Sequence, residues 1–357
     1  MKRKGDKRTF HDAGNKPAQS KHKRVTLKAV ANYVGLTPGT VSTVLNNSPA
    51  SASVPQRTKD RILAAARELD YRPHFFARSL RVQRTFTVGV ICQETGDSYS
   101  STIISGIERY LREKGFLFWT VAHRNDHKLL ESYSQLLLER GIEGFIAIDT
   151  VLPESPRLPT VAVAGHKPLV GVTNLVLNQR VGTKMAVEHL FELGHREIAY
   201  LRGPKTSTDS EERWQSTVEA VRSVNLEVNP ELVIQLEGWV GSPDAGCAPT
   251  VDLLRCNRRF TALFAYNDYA AIGAMSALNE AGLRVPDDVS VVGFDDIQIA
   301  QYVNPRLTTI RQPLRCMGEL AARALLDRIE GGPFMPEILV EPELVVRRST
   351  AAPNPRS

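Results

Sequence analysis

Cysteine is scarce: Cys92, Cys247, Cys256 and Cys316 are the four in 357 residues. They stand apart, without the paired spacing of a metal site, so four reduced thiols are expected and no metal or cofactor. No apolar run reaches the ~18–20 residues that span a bilayer, and no membrane partner is expected. Met1–Arg24 is polar and basic without an apolar stretch, so no secretory signal is expected. Catalytic signatures are missing too. There is no Gly-x-Ser-x-Gly elbow, and Gly89 stands alone rather than in a phosphate-binding loop. Glu188, His189 and His195 lack the spacing of a zinc helix. Asp295 and Asp296 are adjacent, and neighbours near a strand end point to opposite sides, which suits no paired acid and base. No catalytic residue is assigned, and an enzyme is not expected. A free-standing two-lobe transport protein is set aside as well, because it would need an export signal.

Charge is present but unevenly placed. The net charge is +6. Residues 1–84 hold 18 Lys and Arg against 5 Asp and Glu, a surplus of +13, while the rest hold 27 against 34, a deficit of −7. A basic end on a mildly acidic body points to a polyanion-binding module joined to something else. Residues 1–24 read as a basic disordered tail that adds non-specific phosphate attraction.

From Val25 the pattern turns helical. Leu27, Val30, Ala31 and Val34 recur at i, i+3, i+4 and i+7 behind the capping residue Thr26, and Gly35 ends the helix. Thr37-Pro38 starts a second helix, with Thr37 as cap and Pro38 where no N–H is needed. It runs to about Leu45, with Val41, Val44 and Leu45 buried and Thr40, Ser42 and Thr43 exposed. A third helix, about Gln56 to Leu69, turns Ile62, Ala65, Ala66 and Leu69 to one face. This is a helix-turn-helix pattern over residues 25–72.

Thr26-Leu27-x-x-Val30-Ala31-x-x-x-Gly35-Leu36-Thr37-x-x-Thr40-Val41-Ser42-x-x-Leu45-Asn46 closely resembles the LacI/GalR family of bacterial transcription regulators. So do Arg61 to Pro73 and the hinge motif Ala77-Arg78-Ser79-Leu80. The resemblance implies that Thr37, Thr40, Ser42, Asn46 and Lys28 lie among the DNA-facing groups, chiefly at phosphates. It implies Thr43 at a base-reading position and Leu27 near base edges. Pro38 and Gly39 replace the family's usual polar base readers, and neither side chain can give bidentate base contacts. In the hinge, 73–84, Leu80 matches a wedge pushed between base pairs from the minor groove, and Arg78 can follow the groove walls.

Beyond Arg84, strand-like and helix-like stretches alternate. Phe86–Cys92, Phe116–Ala122, Phe145–Ile148 and Thr160–Ala164 read as buried strands. A second series follows at Ile198–Leu201, Leu232–Leu236, Ala262–Ala265 and Ser290–Phe294. Helices are expected around Val181–Leu193, Glu211–Val224 and Tyr269–Ala281. Such repetition argues for parallel α/β sheets covered on both faces, in two lobes. The motifs Glu192-Leu193-Gly194-His195-Arg196, Tyr266-Asn267-Asp268, Gly282 to Asp295 and Leu307 to Pro313 carry the family resemblance onward. They imply a periplasmic-binding-protein-like effector core over 85–350. Its N-lobe is expected at about 85–175 and 311–332 and its C-lobe at about 176–310 and 333–350, with a tail at 351–357.

Ligands in open α/β folds bind beyond the carboxyl ends of the strands. Tyr99 and Ser100 follow the first strand, Asn267 and Asp295 end two others, and Trp239 follows a third and can stack on a ring. Arg213 matches a family arginine that reaches the effector. The family's Asp-Asn pair after the crossover is replaced by Leu177-Asn178, and the segment between the third and fourth strands is short enough to reduce a helix there. The expectation is a cytoplasmic, nucleoid-associated homodimer that binds double-stranded operator DNA, represses transcription and responds to a small sugar-like effector between the lobes.

Overall fold

The computed structural model describes residues 25–46, 48–71, 79, 83–154, 156–164, 169–256 and 258–354. The basic tail and the hinge residues Arg78 and Leu80 lie outside them. The chain divides into two compact units, 1–84 and 85–357, each described here by itself.

The first unit packs three helices, α1 (Leu27–Val34), α2 (Pro38–Leu45) and α3 (Gln56–Glu68). Their shared core is Val30, Ala31, Val34, Val41, Val44, Ile62, Ala65 and Ala66. Thr26 Oγ1 accepts from the Ala29 N–H at 3.2 Å, which closes the start of α1. Gly35 has φ +65°, a left-handed conformation that lets α1 stop and the chain turn. Arg61 Nη2 donates to the Val34 carbonyl at 3.0 Å, tying α3 to the end of α1.

The second unit has two six-stranded sheets. Lobe 1 contains β1 (Thr87–Cys92), α4 (Ser98–Glu113), β2 (Leu117–Ala122), α5 (His127–Glu139), β3 (Phe145–Ile148), β4 (Thr160–Val163) and β5 (Val172–Leu177). Lobe 2 contains α6 (Gln179–Glu192), β6 (Ile198–Arg202), α7 (Ser210–Ser223), β7 (Val233–Gln235), α8 (Asp244–Arg255), β8 (Ala262–Ala265), α9 (Asp268–Glu280), β9 (Ser290–Asp295) and β10 (Thr308–Arg311). The chain then returns to lobe 1 as α10 (Leu314–Ile329) and β11 (Glu337–Val340), and ends in lobe 2 with β12 (Glu343–Val345). Sheet orders are β11-β5-β4-β3-β1-β2 and β12-β10-β9-β8-β6-β7. The pairings are parallel except β10 with β12. Helices cover both faces, as parallel strands require.

Several boundaries correct the sequence reading. Residues 176–177 and 337–340 pair within the first sheet, so lobe 1 keeps β5 to Leu177 and takes β11. The chain therefore crosses between lobes at 177–179, 311–314 and 340–343. Strand β2 is not buried. It is an edge strand with Leu117 and Trp119 more than half exposed. The expected tail starts too early, because Ser290 Oγ and the Ala351 N–H are 3.0 Å apart and His195 Nε2 lies 2.9 Å from the Ala351 carbonyl. No helix stands between β3 and β4 among the described residues, as the short segment suggested.

Glycine sets two helix contacts. A Cβ on Gly106 of α4 would strike the Arg315 carbonyl of α10, and one on Gly318 would strike the Ile103 carbonyl. The same reciprocal approach joins α8 and α9 through Gly246 and Gly273. Of these helices, α10 packs on β3 and β4, and α9 packs on β8 and β9.

Candidate functional sites: a recognition helix and an interlobe cleft

In α2, Thr37 Oγ1 accepts from the Thr40 N–H at 3.2 Å and lies 2.9 Å from Thr40 Oγ1. The two hydroxyls thus form one pair at the positive end of the helix, where anions are favoured. Thr37 is exposed, Thr40 and Thr43 are half-buried, and Lys28 and Asn46 are exposed. Leu27 is half-buried against the three-helix core. Ser42 departs from expectation: it is buried, with Asn46 Nδ2 donating to its carbonyl at 2.8 Å and its hydroxyl at 3.1 Å. One turn of helix brings Ser42 and Asn46 together, so Asn46 covers Ser42 and is the outward member of the pair.

In the second unit, Tyr99, Ser100, Arg213, Trp239, Asn267 and Asp295 all line one cleft between the lobes. Its volume is about 540 Å³ with the open mouth included. Within each lobe the parallel strands carry their carboxyl ends to one side of the sheet, which gathers these residues.

Arg213 is almost wholly buried and heavily engaged. Its Nε donates to Gln179 Oε1 at 3.0 Å, Nη1 to the Tyr266 carbonyl at 2.7 Å and Nη2 to Asp209 Oδ2 at 3.3 Å. Its guanidinium lies 3.8 Å from the Phe294 ring centroid and 4.6 Å from that of Tyr266. Asn267 caps α9 by accepting from the Ala270 N–H at 2.9 Å, while its Nδ2 donates to the Val240 carbonyl at 3.0 Å. Both residues therefore build the cleft wall as well as face it.

Asp295 has φ +114°, a conformation that L-residues rarely adopt, at the end of β9. Its Oδ1 accepts from Gln312 Nε2 at 2.7 Å. Burial pushes this carboxyl up to about 7, against the lowering field of Arg213. Asp296 points elsewhere, onto Arg311 at 2.7 Å and Arg347 at 2.5 Å. The two carboxyls diverge, as their adjacency implied. Tyr99 has a buried hydroxyl without a partner among the described residues. Trp239 is 46% exposed. Gly241 sits against its indole, where a Cβ would collide with the ring, so the loop can fold under it.

The sequence reading missed Asp97, Asp149, Ser207, Asp209, Tyr266 and Tyr269, which also line the cleft. Asp149 directly follows the apolar run Phe145–Ile148, so the rule that found Asn267 could have found it. Asp149 Oδ1 accepts from Ser207 Oγ at 3.2 Å, the Thr208 N–H at 2.9 Å and Thr208 Oγ1 at 2.8 Å. Across the cleft, Tyr269 Oη donates to Ser98 Oγ at 3.1 Å. These bonds run from one lobe to the other and close the cleft at two points. Asn178, by contrast, caps α6 and donates to Glu341 at 3.0 Å, away from the cleft lining. Among the described residues no group of His, Cys, Asp and Glu could hold a metal ion.

Residues 26–74 match the sequence profile described as bacterial regulatory proteins, lacI family, and residues 187–350 match that of a periplasmic binding protein-like domain. The HTH-type transcriptional repressor PurR of Aliivibrio fischeri is 31% identical over 341 residues, covering 91% of this chain and 98% of that protein. The HTH-type transcriptional regulator GalR of Escherichia coli K12 is 32% identical over 342 residues, covering 92% and 96%. Among solved structures, the lac repressor dimer bound to operator and the anti-inducer ONPF aligns with a TM-score of 0.84 at 28% identity, over 92% of this chain and all of that one. The transcriptional regulator CelR in complex with cellobiose aligns at 0.67 and 30% identity, over 91% and 100%.

Proposed function

This chain belongs to the lacI family of bacterial regulatory proteins, and from that premise we propose that it is a homodimeric repressor, active in the cytoplasm, whose operator affinity is set by a small molecule in the interlobe cleft. The reading rests on one observation above all: six residues chosen from separate parts of the sequence meet in a single cleft between two lobes. A ligand that touches both lobes prefers one relative orientation of them. A differential affinity of ~1–3 kcal/mol for two orientations is enough to couple the cleft to DNA binding.

At the DNA end, Thr37, Thr40, Lys28 and Asn46 serve the phosphates, with Ser42 held beneath Asn46. Thr43 and Leu27 face the bases, Arg78 and Leu80 act in the minor groove, and catalysis plays no part. The relatives named above support it: PurR is an HTH-type transcriptional repressor, GalR an HTH-type transcriptional regulator, and the lac repressor dimer is seen bound to operator and the anti-inducer ONPF together.

The test is a selection of binding sites from random DNA with the full chain, then operator titration with and without candidate effectors. A two-fold protein should select a pseudo-palindrome. Asp295→Ala should bind that site like the parent and lose the effector response. Selection of no duplex site, or an intact response in Asp295→Ala, overturns the reading.

A further inference from the structure

Four carboxyls, Asp97, Asp149, Asp209 and Asp295, line the cleft, against one guanidinium, Arg213. That cation is already committed to Asp209, and both are buried. Asp97 and Asp149 make no ion pair with a described Lys or Arg. Asp97 Oδ1 is held by the Ser100 N–H at 2.6 Å, and Asp149 accepts its three bonds on Oδ1, with Oδ2 turned to no protein donor among the described residues. The Asn267 amide is bonded at both ends. Among the described residues the lining thus carries more carboxyls than cations.

The cleft is more than an acidic cluster. Trp239 offers a half-exposed indole face, and Tyr99 brings a buried hydroxyl that lacks a partner among the described residues. A flat or ring-shaped ligand can stack on the first and bond to the second. An anion entering here would face three carboxyls, and among the described residues the lining holds no cation beyond Arg213. A ligand offering only hydroxyls would satisfy acceptors but leave the charge uncompensated in a partly dry site, where such a charge is costly.

Resting on the effector reading above, we propose that the cleft of this chain takes a ring-bearing polyol with a protonated amine, of the amino-sugar class, the amine lying between Asp97 and Asp149. The ring lies along Trp239 and its hydroxyls meet Tyr99 and Asp295. Phosphorylated and acidic sugars are excluded by the same charges.

The experiment is a thermal-shift and calorimetric series on the full chain at pH 7. The probes are matched triplets that differ in one substituent: glucosamine, glucose and glucuronate, with the galacto and manno sets alongside. One hexosamine should bind about tenfold or more tighter than its hexose, as expected of a charge-assisted contact over a neutral one, and no hexuronate should bind. Asp97→Asn and Asp149→Asn keep the Oδ1 acceptors and hence the fold, which circular dichroism checks. Each should remove most of the amine's advantage, read as the ratio of hexosamine to hexose affinity in the same variant.

A hexose or hexuronate that equals its hexosamine overturns the proposal, as does silence from all three hexosamines. A hexosamine preference that survives both Asn variants overturns it too. A hexose that equals its hexosamine and whose response is lost in Asp295→Ala would keep the cleft as the effector site while refuting the amine, so the two failures are distinguishable.

Discussion

Asp295 shows how a single carboxyl couples fold and site. Its folded value of about 7 lies well above the ordinary carboxylate range. Between about pH 4 and 7 the folded chain keeps a proton that the unfolded chain releases, so this group's stabilising contribution is largest at low pH and is lost as pH rises through the window. Buried His123 and His195 and half-buried His189 act with the opposite sign, since desolvation lowers each and protons bind the unfolded chain first as pH falls. Chemical denaturation of parent and Asp295→Asn from pH 4.5 to 8 separates them. The parent-minus-variant stability should fall with pH by on the order of a few kcal/mol. A flat difference would mean the carboxyl is ionised throughout. Arg213 gives a second outcome at this scale. Because it holds Gln179, Tyr266 and Asp209 together, Arg213→Ala should cost ~3–5 kcal/mol of core stability, and Arg213→Lys should restore little, lacking the planar fork. An Arg213→Ala core as stable as the parent would show that it serves ligand alone. Of the cleft, the strand-end residues were legible in the sequence because periodicity locates strand ends. Asp97, Asp209 and Tyr269 were not, because only the tertiary fold brings their three segments together.

Among the elements, α2 carries the most local information. Thr37 and Pro38 define its start, and the structure bears this out in the Thr37–Thr40 hydroxyl pair. Thr37→Val should destabilise the first unit by ~1 kcal/mol, read by denaturation of a fragment spanning it or by amide exchange at the α2 start in the full chain. Unchanged exchange there would mean that the cap contributes nothing. The α8–α9 contact admits no side chain at Gly273, whose Cβ would meet the Pro243 carbonyl. Gly273→Ala should lower core stability by ~1–3 kcal/mol or more, as overpacking against backbone does. A neutral result would show that the two helices can slide apart. Sequence periodicity found most core strands and helices to within two residues. It missed α8, where Gly246 and Pro249 interrupt the pattern, and it missed β11, a four-residue strand whose partner residues in β5 lie 163 positions earlier. Pairing at such separation is a tertiary fact that no local pattern contains.

At the scale of the molecule, charge and chain crossing organise the protein. The +13 surplus of residues 1–84 opposes the −7 of the remainder, so DNA should meet one unit and be repelled by the other. Operator affinity should fall steeply with salt, with a log–log slope of roughly −0.9 per phosphate contact. Removing residues 1–24 should make that slope shallower while leaving the ratio of specific to non-specific binding nearly intact. A slope unchanged by the deletion would remove the tail from the interface. The three crossings at 177–179, 311–314 and 340–343 let the lobes pivot without breaking either sheet. Asp149 and Tyr269 then hold the pivot shut from opposite sides.

Trp239 gives this chain an optical reporter at the place where events are expected. There are three tryptophans in all, Trp119, Trp214 and Trp239. Trp119 stands on the exposed edge strand β2, and Trp214 packs against Tyr200 and Arg202, so neither lines the cleft. In a Trp119→Phe, Trp214→Phe background, every emitted photon excited at 295 nm would come from an indole that is half in water and half over Gly241. Entry of any ring into the cleft would strip that water and shift the emission to the blue, and iodide would lose its access to the excited state. The protein could then report its own occupancy, second by second, before the ligand has been named.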